Sequence, residues 1–182
     1  NRWPYHLARL ADSFSAEGRF HVFTKDMVRY QNVSSAFSDE VIGAKRDDVP
    51  ALYWYDSLYQ AEELLTHFGA GIAYDGVWSP TREQIAFVSN DSGNDEIWMI
   101  NRDGSEPRQL TRDEFNWWDK HPSWSPDGQQ LVFWSNRAGH AQILVMDPDG
   151  NNLYSLSRTN FNDWDPVWIK YPGVPANAHQ IH

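Results

Sequence analysis

The sequence predicts an all-β fold, a complete or partial β-propeller made of four-stranded antiparallel blades, and three observations lead there. First, residues 78–165 hold one unit written twice: Trp78-Ser79-Pro80 recurs as Trp124-Ser125-Pro126, a displacement of 46 (124 − 78). The displacement then holds without a gap. Ile85 and Phe87 fall on Leu131 and Phe133, Ser89-Asn90 on Ser135-Asn136, Ile97 on Ile143, Asp103-Gly104 on Asp149-Gly150, and Leu110 on Leu156. Second, a period in the forties carrying several short strands per unit is the signature of a propeller blade. Third, apolar runs of strand length in each copy are separated by Gly turns, and Asp-Gly is a strong hairpin signal.

Taken in order, residues 1–74 read as degenerate N-terminal blade sequence. Phe14-Ser-Ala-Glu-Gly18 looks like a worn copy of the Trp-Ser-Pro motif, and Phe20, Val22 and Phe23 supply the apolar positions of the strand after it. Leu52-Tyr-Trp-Tyr-Asp56 sits 45 residues before Ile97 and its successors, and Leu65-Thr66 sits 45 before Leu110-Thr111 (97 − 52, 110 − 65). That arithmetic places an insertion near residues 25–50. A competing reading takes Phe37-Ser38 as a further inner strand and residues 41–44 as the next. Residues 56–68 also show a helical face, Leu58, Ala61, Leu65 and Phe68, with Asp56 or Ser57 as an N-cap; the repeat register makes the same stretch a hairpin.

Residues 75–121 and 122–167 are the two clear blades. Their inner strands are expected at 77–79 and 123–125, with no helix anywhere in 84–100 or 130–146. Trp168 opens a further copy in the segment 168–182, whose last residues carry Pro172 and Pro175 and read as extended coil. An arc of blades leaves apolar faces and strand edges that something must cover. A longer protein of which this chain is a piece, missing blades from another chain, self-association and a small closed ring all satisfy that requirement.

The series Trp124-Ser125-Pro126-Asp127-Gly128, Ser135-Asn136-Arg137 and Met146-Asp147-Pro148-Asp149-Gly150 resembles the TolB-like, or PD40 (WD40-like), family of β-propeller repeats. The resemblance covers roughly residues 75–170. Thr81-Arg82 replaces the usual Asp-Gly in the first copy. The Trp-Asp pairs differ from those of WD40 repeats, because they precede the inner strand and have no Gly-His partner. What the resemblance implies is a six-bladed ring, a role in protein interaction and an extracytoplasmic location, periplasmic or secreted.

Composition narrows the function classes. The net charge of −10 (15 − 25) argues against nucleic acid and anionic membranes, which select for clustered Lys and Arg, and favours a cationic or neutral partner. There are no cysteines, which excludes disulfides, zinc–thiolate sites and thiol catalysis. No membrane span is present. The chain begins at Asn1 rather than Met, so a leader or upstream region is expected to have been removed. Asn32-Val-Ser34 and Asn90-Asp-Ser92 match the glycosylation sequon, a tripeptide that arises readily by chance.

The candidate partner-binding residues lie in the connectors that lead from an outer strand to the next inner strand: Trp117, Trp118, Asp119 and His121 in one, Trp164 and Asp165 in the next, with Asp75 ahead of the first clear blade. A flat indole beside Asn and Asp suits a peptide or sugar, through stacking and hydrogen bonding together. Trp118 and Trp164 recur in register and could equally serve as structural packing between blades. Trp117 has no aromatic counterpart and is expected to be the most exposed of the three. Asp75, Asp119 and Asp165 are read as an acidic arc at the channel mouth, suited to a partner's Lys or Arg or to Ca²⁺. The competing reading gives each carboxylate to the N–H groups of its own turn.

No other cofactor is indicated. Asp147-Pro-Asp149-Gly150-Asn151-Asn152 lacks the distal Glu of a calcium loop and reads as a hairpin turn. No serine elbow, His-Glu-x-x-His, phosphate-binding loop or dinucleotide fingerprint occurs, which weighs against an enzyme and identifies no catalytic residue. The leading expectation is a non-enzymatic interaction module that binds a protein or peptide through the Trp- and Asp-rich connector face. The alternatives are a carbohydrate-binding or polysaccharide-degrading propeller, such as the oligogalacturonate lyases that share these repeats, and a structural subunit of a larger assembly.

Overall fold

The computed structural model describes residues 12–34, 41–67, 71–112 and 116–169. They form eleven strands in three antiparallel sheets. The first sheet comprises β1 (Phe20–Ser34), β2 (Val41–Asp56) and β3 (Ala61–Leu64), in that order. The second is β4 (Ala73–Trp78), β5 (Gln84–Ser89), β6 (Glu96–Asn101) and β7 (Arg108–Gln109). The third repeats it as β8 (Asp119–Trp124), β9 (Leu131–Ser135), β10 (Gln142–Met146) and β11 (Tyr154–Ser155).

The sheets stack because their central strands are apolar on both faces. In the second sheet, Ile85, Phe87 and Ile100 pack against Phe20, Val22, Leu52 and Leu65 of the first. The alternate residues, Ala86, Val88, Ile97 and Met99, pack against Leu131, Phe133, Leu144 and Met146 of the third. Each large side chain buried this way stabilises the stack by about 1.5–3 kcal/mol. The motif tryptophan has a place in it: Trp124 Nε1 donates to Val77 O of the neighbouring inner strand at 3.3 Å.

The Leu-Thr or Leu-Ser that closes each repeat also has a structural task. The hydroxyls of Thr66, Thr111 and Ser157 accept the N–H groups of Leu52, Ile97 and Ile143 at 3.0, 3.0 and 2.9 Å. In each sheet this bond ties the end of the outer strand to its neighbour. The Asp-Gly turns explain themselves in a similar way. Gly104 and Gly150 have φ of 79° and 87°, and a Cβ on either would meet the carbonyl oxygen of Leu65 or Leu110 in the preceding sheet at 3.1 or 2.7 Å. Glycine is needed there for conformation and for close approach together.

Residues 56–67 form a hairpin and not a helix. Its turn needs no glycine because Gln60 takes a φ of 52° and Asp56 Oδ1 accepts the N–H of Leu58 at 2.8 Å. Residues 25–34 and 41–50 form a long two-stranded hairpin arm that continues β1 and β2 well beyond the sheet, with pairing from Phe20↔Asp56 out to Ser34↔Val41. Residues 41–44 belong to that pairing and not to a separate inner strand; Phe37 and Ser38 lie outside the described residues. So does the tail beyond residue 169.

The inner strands start four residues earlier than expected, at Ala73 and Asp119, and end at Trp78 and Trp124. A register shift between Tyr74 and Val77, repeated between Lys120 and Ser123, interrupts their alternation. A bulge of this kind redirects side chains at the rim of a sheet. Asp75 and His121 sit in the two shifts, with φ of 57° and 55°.

Candidate functional site

Strand pairing defines one end of the stack. Ser89 pairs with Ala73 and Glu96, and Ser135 pairs with Asp119 and Gln142, so the turns after β5 and β9 stand at the end where the inner strands begin. The connectors lie against those turns. Asn94 Nδ2 donates to Trp117 O at 2.7 Å, Asp119 N to Asp95 O at 2.8 Å, and Trp118 N to Asn136 Oδ1 at 2.7 Å. The long hairpin leaves the first sheet at the pair Lys25↔Ala51, which corresponds to Ser89↔Glu96. It therefore stands on the connector end too. About ten residue pairs at about 3.3 Å each give it a length of about 30 Å.

At the mouth, three of the candidate residues come together. His121 Nδ1 lies 3.5 Å from Asp75 Oδ2 and 3.2 Å from Asp165 Oδ1. All three residues have positive φ, Asp165 at 52°, which turns their side chains out of the strand alternation. The His121 ring stacks on Trp134 with centroids 6.2 Å apart, and Trp134 meets Trp164 edge-to-face at 4.5 Å. Trp164 and Trp118 are 52% and 48% exposed. Lys120 Nζ sits 5.0 Å over the Trp118 ring and pairs with Asp95 Oδ2 at 2.8 Å. Burial, and next the Asp95 carboxylate, push the nearby Tyr74 hydroxyl well above its ordinary pKa.

Two expectations are corrected. Trp117 is half-buried, while Trp118 and Trp164 are the exposed pair, because the backbone at 117 is held against the turn after β5. In-register recurrence therefore does not mark these tryptophans as packing between blades. Nor do the three aspartates form one arc. Asp119 is fully buried and pairs with Arg137, Oδ2 to Nη2 at 2.6 Å, while Asp75 and Asp165 face His121. Trp134 and Lys120 were missed. Trp134 had a signal, since a large indole occupies the position of Val88 in the other copy.

The Asp147 turn satisfies its own carboxylates. Asp149 Oδ1 accepts the N–H of Asn151 at 3.0 Å, which with the Asn151 amide holds the Asp149 carboxyl below the usual range. Among the described residues no group of three or more His, Asp or Glu is placed to hold a metal ion. No helix among them is long and apolar enough to cross a membrane. At the far end of the inner strands, Phe14, Trp78, Trp124 and Trp168 line a cavity of about 460 Å³ with Pro80 and Pro126. These are the repeat's own motif positions.

Among known proteins, no curated sequence matches the chain. In solved structures, the putative TolB from Agrobacterium tumefaciens aligns with a TM-score of 0.61 and 26% identity over 84% of this chain and 52% of that one. TolB from Acinetobacter baumannii aligns with a TM-score of 0.59 and 16% identity, covering 83% and 33%. An oligogalacturonate lyase in complex with manganese aligns with a TM-score of 0.52 and 16% identity, covering 79% and 40%, a likeness of fold alone. The chain spans about half the length of the first of these and a third of the second. Residues 47–171 match the TolB beta propeller domain, and with the repeats and sheets described above the chain belongs to that family.

Proposed function

We propose that this chain is a non-enzymatic interaction module that binds a protein or peptide over its connector end, in an extracytoplasmic compartment. The observation that carries the reading is the convergence of Asp75, His121 and Asp165 beside two exposed tryptophans. Two carboxylates flanking an imidazole favour a cationic group, and the chain's net charge of −10 steers such a partner toward it. Trp118 and Trp164 offer large rigid surfaces of the kind that dominate binding energy at protein interfaces. The hairpin of β1 and β2 adds a wall on the same end.

Panning a random peptide library on the immobilised chain, with a glycan array in parallel, tests this. Enrichment of peptides carrying Lys or Arg next to an aromatic residue is the expected result. Glycans bound with no peptide enriched would transfer the site to the carbohydrate-binding alternative.

A further inference from the structure

We infer that His121 makes the connector end release its partner on acidification, because the protonated ring takes the place between Asp75 and Asp165 that the partner's cation fills at neutral pH. This rests on the proposed binding of a cationic group at the mouth and adds its regulation. The repeat supplies the arrangement. Asp75, His121 and Asp165 each stand three residues before a motif tryptophan, Trp78, Trp124 and Trp168 (78 − 75, 124 − 121, 168 − 165). Counted this way Asp165 matches His121, because the third tryptophan follows the second by 44 (168 − 124) and not by 46. The three share a positive φ, 57°, 55° and 52°, so successive repeats aim one position at the rim. Aspartate is ordinarily ionised from pH 5 to 8, whereas histidine ordinarily changes charge within that range. The middle member of the row is the one that can switch.

The geometry makes the charge on that ring decisive. His121 Nδ1 lies 3.5 Å from Asp75 Oδ2 and 3.2 Å from Asp165 Oδ1, yet this buried nitrogen makes no hydrogen bond with either. What joins it to the two carboxylates is therefore charge. A neutral ring adds none to the neighbouring pair; a protonated ring faces both at once. The side chain is 34% exposed, which leaves the imidazole open to protons from solvent.

The other charged and titratable groups around the ring are engaged elsewhere. On β8 itself, Lys120 pairs with Asp95 at 2.8 Å, and Asp119 pairs with Arg137 from the turn after β9 at 2.6 Å. On β4, burial and the Asp95 carboxylate keep the Tyr74 hydroxyl neutral. From β9 the ring is stacked on the uncharged Trp134. Neither Lys120 nor Arg137 is thus placed to substitute for the His121 proton. That proton and a partner's cation compete for the same two carboxylates, and each weakens the binding of the other by the same factor. A partner that keeps its charge at every pH, such as an arginine, then binds less tightly as the pH falls through the range in which the imidazole charges.

Calorimetric titration of the full chain with the probe acetyl-Arg-Trp-Arg-amide, at about pH 7.5 and about pH 5.5, reads the outcome. The probe carries the same charge at both. The wild type is expected to bind about tenfold less tightly at the lower pH. His121→Gln, which cannot gain a charge, should lose less than about twofold, and His121→Lys, which carries one throughout, should bind weakly at both. Unfolding midpoints of the two variants near that of the wild type show that both fold. A wild type that binds equally well at both pH values overturns the inference and leaves the proposed binding intact. So does a His121→Gln variant that keeps the tenfold loss, or a His121→Lys variant that binds as tightly as the wild type at the higher pH. A probe that binds the wild type at neither pH overturns the proposed binding and the inference with it.

Discussion

The hydroxyls that close the repeats are not equivalent, and replacing them one at a time yields a graded loss of stability. Thr66→Val keeps the volume of a buried side chain and removes only the acceptor for the Leu52 N–H. An orphaned buried N–H costs about 2 kcal/mol. Thr111→Val removes the acceptor for Ile97 and also the donor that Glu96 Oε2 meets at 2.5 Å, leaving the buried Glu96 with the Asn94 amide at 2.8 Å. The sum is about 3 to 4 kcal/mol. Ser157→Ala sits at a half-buried position that water can reach, so its loss is about 1 kcal/mol or less. Urea unfolding midpoints at unchanged slope give the order Thr111, Thr66, Ser157. A Thr111→Val variant no less stable than Ser157→Ala would refute the reasoning.

Two further perturbations follow from the geometry. Arg19 donates to both carboxylate oxygens of Asp56, at 3.0 and 2.5 Å, and this bond above all holds the Asp56 carboxyl at about 2. Because the folded value is depressed, its contribution is present above the ordinary value near 3.8 and is lost as the pH falls toward 2; an acid titration of the unfolding midpoint should show that loss in the wild type and less of it in Asp56→Asn. Gly150→Ala should destabilise more than Gly139→Ala by about 1 kcal/mol or more, since both have positive φ but only Gly150 would press a Cβ on the Leu110 carbonyl; paired thermal denaturation measures the difference.

The sheets were legible in the sequence because the repeat recurs at a constant 46 and its apolar runs have strand length. The first sheet was legible too, through Leu52 and Leu65-Thr66, because the Thr66 hydroxyl bond constrains sequence as it does in the other repeats. The starts of the inner strands were not, since the shifts at Tyr74 and Lys120 break the period of two. The site was half legible. Its tryptophans and aspartates were found by type, but the repeat register puts Asp75 on His121 (75 + 46) and Asp119 on Asp165, so grouping the aspartates together joined the wrong carboxylates. Trp117 and Trp118 are neighbours of one type, and only the backbone contact with the turn at Asn94 decides which of them is exposed.

The reading of the connector end rests most directly on Trp118 and Trp164. Calorimetric titration of a library-selected peptide into the wild type, the Trp118→Ala/Trp164→Ala pair and, as a control at the other end of the arc, Tyr59→Ala decides it. Tyr59 is 74% exposed and remote in the fold from the mouth. Truncating two anchors worth about 2 kcal/mol together lowers affinity about thirtyfold. The account predicts that loss for the tryptophan pair and none for Tyr59→Ala; a peptide that binds the tryptophan pair as tightly as the wild type would contradict it.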